Sequence, residues 1–279
     1  MTFATTYQLL ETRAHQTPDA IAISAPERQP LTYRALFDHI ESFAIQLTSL
    51  GLKRHDRIAL VLPNGPEMTV AFVATIACAT AAPLNPAFRA NEFNFYLTDL
   101  GAKAVIVLAN EPSPVRQVAN ELGITILELT PLLSEAAGIF TLEAASSHNH
   151  ENKRESPIYA QAEDIALISH TSGTTAKPKI VPCTQKNLMA GAALTGQTLN
   201  LGPSDRYLRI MPLFHTHGLV STLAAFNTGG TVFASPEFNA SRFFDWFQTF
   251  KPTVTAPPVP EARCGYAPKS KGFFESLFG

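Results

Sequence analysis

"DIALISHTSGTTAKPKIVP", Asp164 to Pro182, is the stretch on which both the fold and the chemistry of this chain turn. Asp164–Ser169 is a short apolar run of strand length, and "KIVP" at Lys179–Pro182 is strand-like again. Between them Ser172, Thr174 and Thr175 offer hydroxyl donors, Gly173 permits close backbone approach, and Lys177 and Lys179 supply positive charge. That set suits a polyphosphate. An ordinary polar turn has the same composition, because Ser, Thr and Gly are common loop residues. The loop is not a Walker loop, since no Gly-Lys-Ser/Thr occurs in it, and the chain holds no G-x-G-x-x-G and no G-x-S-x-G.

The strand that leads into the loop is one of a series. "AIAIS" (20–24), "DRIALVL" (56–62), "KAVIVLA" (103–109), "ITILEL" (124–129), "RYLRIM" (206–211) and "GTVFAS" (230–235) are also short, apolar and rich in β-branched residues. Helical stretches separate most of them. From Tyr33 to Leu50, apolar Leu36, Phe37, Ile40, Phe43, Ala44 and Leu47 repeat at the spacing of one helix face, and Gly51 stands where a helix-ending glycine belongs. Met68–Leu84 is an apolar, Ala/Thr-rich run that reads as a buried helix passing into a strand, short of the roughly 20 residues of a membrane span. Strand and helix alternating in this way predict an α/β fold: two mainly parallel sheets flanked by helices. The polar segment Glu143–Asp164 reads as a surface linker, giving a first α/β unit over 1–162 and a second over 163–251, with the loop at 170–181 and a tail at 252–279. His148 and His150 in that linker read as solvated loop residues before metal ligands.

Bulk composition narrows the function. The chain has 279 residues, 46% of them hydrophobic, enough for a substantial core. Lys and Arg number 21 against 23 Asp and Glu, and no dense basic stripe marks a nucleic-acid or anionic-membrane surface. Phosphate binding must then be local. Cys78, Cys183 and Cys264 lie far apart, without zinc-finger spacing or a disulfide framework, which suits a reducing compartment. The first residues carry no secretory h-region, and no metal site is expected.

The loop string itself resembles the signature T-S-G-T-T-G-x-P-K-G-V of the adenylate-forming (AMP-binding) enzymes, the acyl-CoA synthetase superfamily, departing from it only at Ala176 and Ile180. The resemblance extends from about Tyr7 to about Pro260 and includes Leu31-Thr32-Tyr33, Leu62-Pro63-Asn64 and Pro83-Leu84-Asn85-Pro86. "VPCTQKNL" (181–188) and "MPLFHTHGL" (211–219) are most similar to the oxalate-CoA ligase branch. The resemblance implies the amino-terminal part of the family's large domain. It also implies an ATP-dependent acid-thiol ligase that activates a carboxylic acid as its acyl-adenylate and passes the acyl group to CoA.

Carried over residue by residue, the resemblance makes Thr171, Ser172, Gly173, Thr174, Thr175, Ala176, Lys177, Pro178 and Lys179 the loop that wraps the ATP phosphates and helps organise Mg²⁺. It places His215 beside the reacting carboxylate. The alternatives for His215 are a satisfied core histidine or half of a His215/His217 metal pair. Two loop residues depart from the family. Ala176 replaces a glycine, at a cost of about 1–2 kcal/mol if that position needs φ > 0, and Ile180 puts a β-branched side chain where the family keeps the backbone bare.

Family members run to nearly twice this length. Their aromatic-Gly-x-T-E and T-G-D segments and their carboxyl-terminal domain with its lysine have no counterpart here, and "RCGYAPKSKGFFESLFG" (263–279) matches nothing in the family, so poor packing of that tail is expected. The expected partners are a small carboxylic acid, ATP and CoA, with a complementing homologue as a possible supplier of the missing segments and no nucleic acid or transmembrane segment. A cytoplasmic location is expected, since the terminal Leu277-Phe278-Gly279 is not a peroxisomal address of the kind many relatives carry. Two classes stand side by side: an acid-thiol ligase, and a catalytically inactive remnant or nucleotide-binding and interaction module. For the chain on its own, slow or absent acyl-adenylate formation is expected.

Overall fold

The computed structural model describes residues 2–145, 156–171, 178–236 and 239–255. The tail from Arg263 to Gly279, His148, His150 and loop residues Ser172 to Lys177 lie outside these.

Each apolar run read as a strand forms one. β1 (Ile21–Ser24), β3 (Arg57–Val61), β5 (Ala104–Leu108), β6 (Thr125–Pro131), β8 (Ile165–His170), β10 (Arg206–Arg209) and β11 (Thr231–Ala234) are joined by β2 (Leu31–Thr32), β4 (Thr80–Pro83), β7 (Phe140–Ala144), β9 (Ile180–Thr184) and β12 (Val254–Thr255). They make two sheets. The larger runs β7-β6-β5-β3-β4-β8-β9 and is parallel through its middle, with antiparallel β7 and β9 at its edges. The smaller runs β12-β10-β11-β1-β2 and is parallel except for the β1–β2 pair.

Helix α2 (Tyr33–Ser49) begins on Thr32, whose hydroxyl accepts from Ala35 N, and is followed by Gly51 at φ 78°, the left-handed turn that a glycine makes at least cost. Pro66–Cys78 is α3, and Thr80–Pro83 follows it directly as β4, the helix-into-strand passage read from the sequence. α3 is buried along its whole length, as its apolar residues on every side require. It packs on β3, β4 and β8 and against α1 (Thr6–Gln16) and α2.

Alternation along the strands divides the core into layers. Ile58, Leu60, Ala104 and Ile106 face the central layer of α1, α2 and α3, joined there by α6 (Gln185–Thr198) and α7 (Thr216–Thr228). Ala59, Val61, Val105 and Val107 face the opposite side, under α4 (Ala90–Leu100) and α5 (Pro114–Glu121). Leu208, Ile210 and Phe233 of the smaller sheet pack under Trp246 of α8 (Ala240–Phe250). A strand covered on both faces must be apolar throughout, which is why these runs read as continuous rather than alternating.

The two sheets do not follow one another along the chain. β1 and β2 leave the first unit to pair with β11, whereas β8 and β9 leave the second to extend the larger sheet beside β4. The expected division at residue 162 therefore runs between β7 and β8, two strands of one sheet. Of the expected linker, Glu143 and Ala144 belong to β7, and residues 146–155 lie outside the described residues. A polar segment carries no information on which sheet edge the next strand joins.

Candidate functional site

β8 delivers the quoted loop to the carboxyl end of the parallel strands, where open α/β sheets commonly bind ligands. The antiparallel pairing of β8 with β9, His170 opposite Ile180, brings the two ends of the loop together. Thr171 N donates to Lys179 O at 2.9 Å, and Lys179 N donates to Thr171 Oγ1 at 3.1 Å, so the loop is closed at its root by two hydrogen bonds. Thr171 and Lys179 are exposed and Pro178 half-buried. Ile180, the β-branched residue that departs from the family string, is half-buried against the apolar layer under α4.

His215 stands on the residue that precedes α7, its N–H donating to Pro212 O at 3.1 Å and its ring exposed beside Phe214, with centroids 4.6 Å apart. Its neighbour Thr216 reaches Ser169 across the cleft, Oγ1 to Oγ at 3.2 Å. Leu167, Ser169, His170, Thr171, Cys183 and His215 are among the residues that line one open cavity of about 420 Å³. The sequence-predicted loop root and the sequence-predicted histidine therefore share a cleft. Burial pushes the Cys183 thiol up, so it stays protonated there at neutral pH. A second cavity of about 420 Å³ is lined by Leu47, Leu52, Arg54 and Cys78 and shares no residue with the first. Its Arg54 is already neutralised by Asp164 at 3.0 Å.

The segment that carries His215 is held from beneath by residues to which the sequence assigned no role. Leu213 N donates to Asn64 Oδ1 at 3.1 Å, giving the Asn of "LPN" a structural task. Arg209 is fully buried, and its guanidinium donates to Met211 O and Ser235 O at 3.3 Å and to Gly65 O and Thr69 Oγ1 at 3.4 Å. Burial pushes Arg209 down to about 10, which leaves it charged at neutral pH. Its signal in sequence was an arginine inside the apolar run "RYLRIM". Gly218 is required for close approach, since a Cβ there would lie 3.0 Å from Pro212 O and 3.3 Å from Met211 O. His170 was likewise assigned no role. Its Nε2 lies 3.1 Å from Asp99 Oδ2.

Two mainly parallel sheets flanked by helices, with the root of a hydroxyl-rich loop at a cleft beside a strand's carboxyl end, define an α/β chain with a candidate ligand site there. Residues 10–261 match the family model described as AMP-binding enzyme, and the chain belongs to that family. It is 36% identical over 257 residues to an oxalate–CoA ligase of Arabidopsis thaliana, covering 90% of this chain and 49% of that protein. It is 32% identical to an oxalate–CoA ligase of Saccharomyces cerevisiae, covering 88% of this chain and 50% of that one. Among solved structures, an O-succinylbenzoate coenzyme A synthetase of Bacillus subtilis in complex with AMP superposes with a TM-score of 0.70 at 27% identity, over 88% of this chain and 60% of that one. The chain thus spans about half the length of the curated relatives it matches. Among the described residues no helix is long and apolar enough to cross a membrane.

Proposed function

We propose that this chain supplies the phosphate-binding loop and part of the acid pocket of an ATP-dependent, AMP-forming acid–CoA ligase. The observation that carries the proposal is the shared cleft: the loop root at Thr171 and Lys179 opens beside His215, in a chain that matches the family over residues 10–261. In this reading Thr171 to Lys179 cradle the β and γ phosphates through hydroxyl and backbone donors, with Lys177 and Lys179 offsetting their charge. His215 borders the carboxylate of the acid, and the relatives' names favour a small acid such as oxalate.

Mg²⁺ fits the donor set. Among its described lining residues the cavity offers hydroxyl oxygens from Ser169, Thr171 and Thr216 and no carboxylate, so the ion would be carried mainly by phosphate oxygens and water. When bound, it neutralises charge on the pyrophosphate as it leaves. CoA is the expected acceptor, and none of the described residues is assigned to its thiol.

The test is equilibrium binding of ATP and AMP, each with Mg²⁺, to the wild-type chain and to Lys179→Ala. A preferential loss for ATP is expected, because only ATP presents β and γ phosphates, and equal losses refute the assignment. A second reading is a nucleotide-binding module without turnover, for which the loop root at Thr171 and Lys179 would suffice. Pyrophosphate release with ATP, Mg²⁺, CoA and a panel of acids including oxalate and medium-chain fatty acids separates the two: several turnovers per second support the ligase, and binding without release supports the module.

A further inference from the structure

Three consecutive residues at the end of β8 are tied in three directions. Ser169 reaches Thr216 at the start of α7, His170 reaches Asp99 near the end of α4, and Thr171 reaches Lys179 across the loop root. The middle tie sets an enclosed ring against a half-open carboxylate. The His170 side chain is 6% exposed, against 39% for Asp99, and its ring meets Tyr96 edge to face with centroids 4.7 Å apart. Tyr96 is itself stacked on Phe88, with centroids 4.8 Å apart and planes 9° apart. Tyr96 and Asp99 stand three residues apart on α4 and so present an aromatic face and a carboxylate to the same ring. A carboxylate can only accept, so Nε2 carries the proton of this hydrogen bond.

We propose that His170 and Asp99 form a latch that holds the root of the 171–179 loop at the cleft, with His170 as a positioning residue for nucleotide phosphate. The inference rests on the phosphate-loop reading above. β8 and β9 already seat the two loop ends in the larger sheet. The latch adds a side-chain tie from the last residue of β8 to α4, so the loop root at Thr171 and Lys179 is held against α4 as well as by strand pairing.

The test compares full-length wild type with Asp99→Ala, Asp99→Asn and His170→Phe. The asparagine keeps an acceptor for Nε2, and the phenylalanine keeps the ring against Tyr96 while losing the hydrogen bond. Asp99→Ala and His170→Phe should each weaken MgATP binding about fivefold or more, with AMP affected less, and Asp99→Asn should stay within about twofold. Unchanged MgATP affinity in both Asp99→Ala and His170→Phe overturns the latch, whatever happens to their stability. A readout independent of nucleotide is tryptic cleavage after Lys179, the exposed loop lysine not followed by proline, which should be faster in Asp99→Ala. If the wild type binds no MgATP, the phosphate reading fails on its own, and equal cleavage rates in wild type and Asp99→Ala then overturn the latch.

Discussion

Residues 209–218, which carry His215, hang from groups sealed in the core, whereas the root of the loop is tied through Thr171, Lys179 and Asp99, groups that water reaches, with only the His170 ring enclosed. On the first side Arg209 is fully buried, Leu213 is fully buried, and a methyl group at Gly218 would press on Pro212 O at 3.0 Å and Met211 O at 3.3 Å. On the second side Thr171 and Lys179 are exposed, and Asp99 is more than a third exposed. That contrast decides where each kind of change will register. A substitution beneath His215 removes partners that water cannot replace, so stability falls. A substitution at the loop removes hydrogen bonds that water can largely replace, so stability holds and only the binding geometry is lost.

The largest effect on stability is expected farthest inside. Phe72 is fully buried in α3, and Phe72→Ala should cost about 3–5 kcal/mol in urea unfolding, the sum of lost transfer energy and a cavity. A cost under about 1 kcal/mol would mean that the central layer collapses around the gap. Next comes Arg209→Met, which relieves a buried charge but takes the guanidinium away from four acceptors, of which Gly65 O keeps Thr69 N and Oγ1 as donors while Met211 O and Ser235 O lose theirs. Unmet acceptors outweigh the relief, and a net loss of about 2 kcal/mol is expected by the same measurement. A neutral or stabilising result would show that desolvation of the cation outweighs its four hydrogen bonds, and would blur the contrast between core and loop.

Acid probes the core side of the same contrast. His39 packs edge to face on Phe140 at 4.6 Å, and burial pushes its imidazole down to about 4 from an ordinary value of 6.5. Neutral in both states at pH 7, it makes no difference there. As pH falls from about 6.5 toward 4 the unfolded chain binds a proton that the folded chain refuses, so stability drops over that window by about 1–2 kcal/mol, discounted for the ring's residual exposure. His39→Phe should flatten that part of the stability profile, and an unchanged slope would remove His39 as its cause. The smallest stability effect belongs to Lys179→Ala, within about 0.5 kcal/mol, while its MgATP affinity falls about tenfold. Denaturation and calorimetry on the same sample test both halves, and a loss of stability larger than the loss of binding would erase the distinction between the two regions.

Legibility in the sequence followed the same divide between local and distant. The seven apolar runs and the Tyr33–Leu50 helix could be read because burial on both faces, or on one helical face, leaves a pattern within a single segment. β2 and β12, each of two residues, and the edge strand β7, which alternates Phe140, Leu142 inward with Thr141, Glu143 outward, left weak or brief patterns and were not read. The interleaved sheets were also missed, since pairing between Ile23 and Val232 is written in neither segment. At the site, the loop and His215 stood out through their resemblance to a family. Asp99 did not, because its partner His170 lies 71 residues away, and Arg209 looked like a charge misplaced in a strand until its four acceptors were seen around it.

That pairing of Ile23 with Val232 sets a timetable for the chain as it is made. β1 emerges early, yet the strand beside which it belongs follows about 210 residues later, on the order of 10–40 s at ordinary rates of synthesis. During that interval β1 has only β2 beside it, a two-stranded ribbon too small to persist in water, while β3, β4 and β5 can already assemble with their helices. The larger sheet is therefore positioned to fold on the ribosome around a first strand that is still waiting. Its apolar Ala22 and Ile23 stay available to chaperones until β11 arrives.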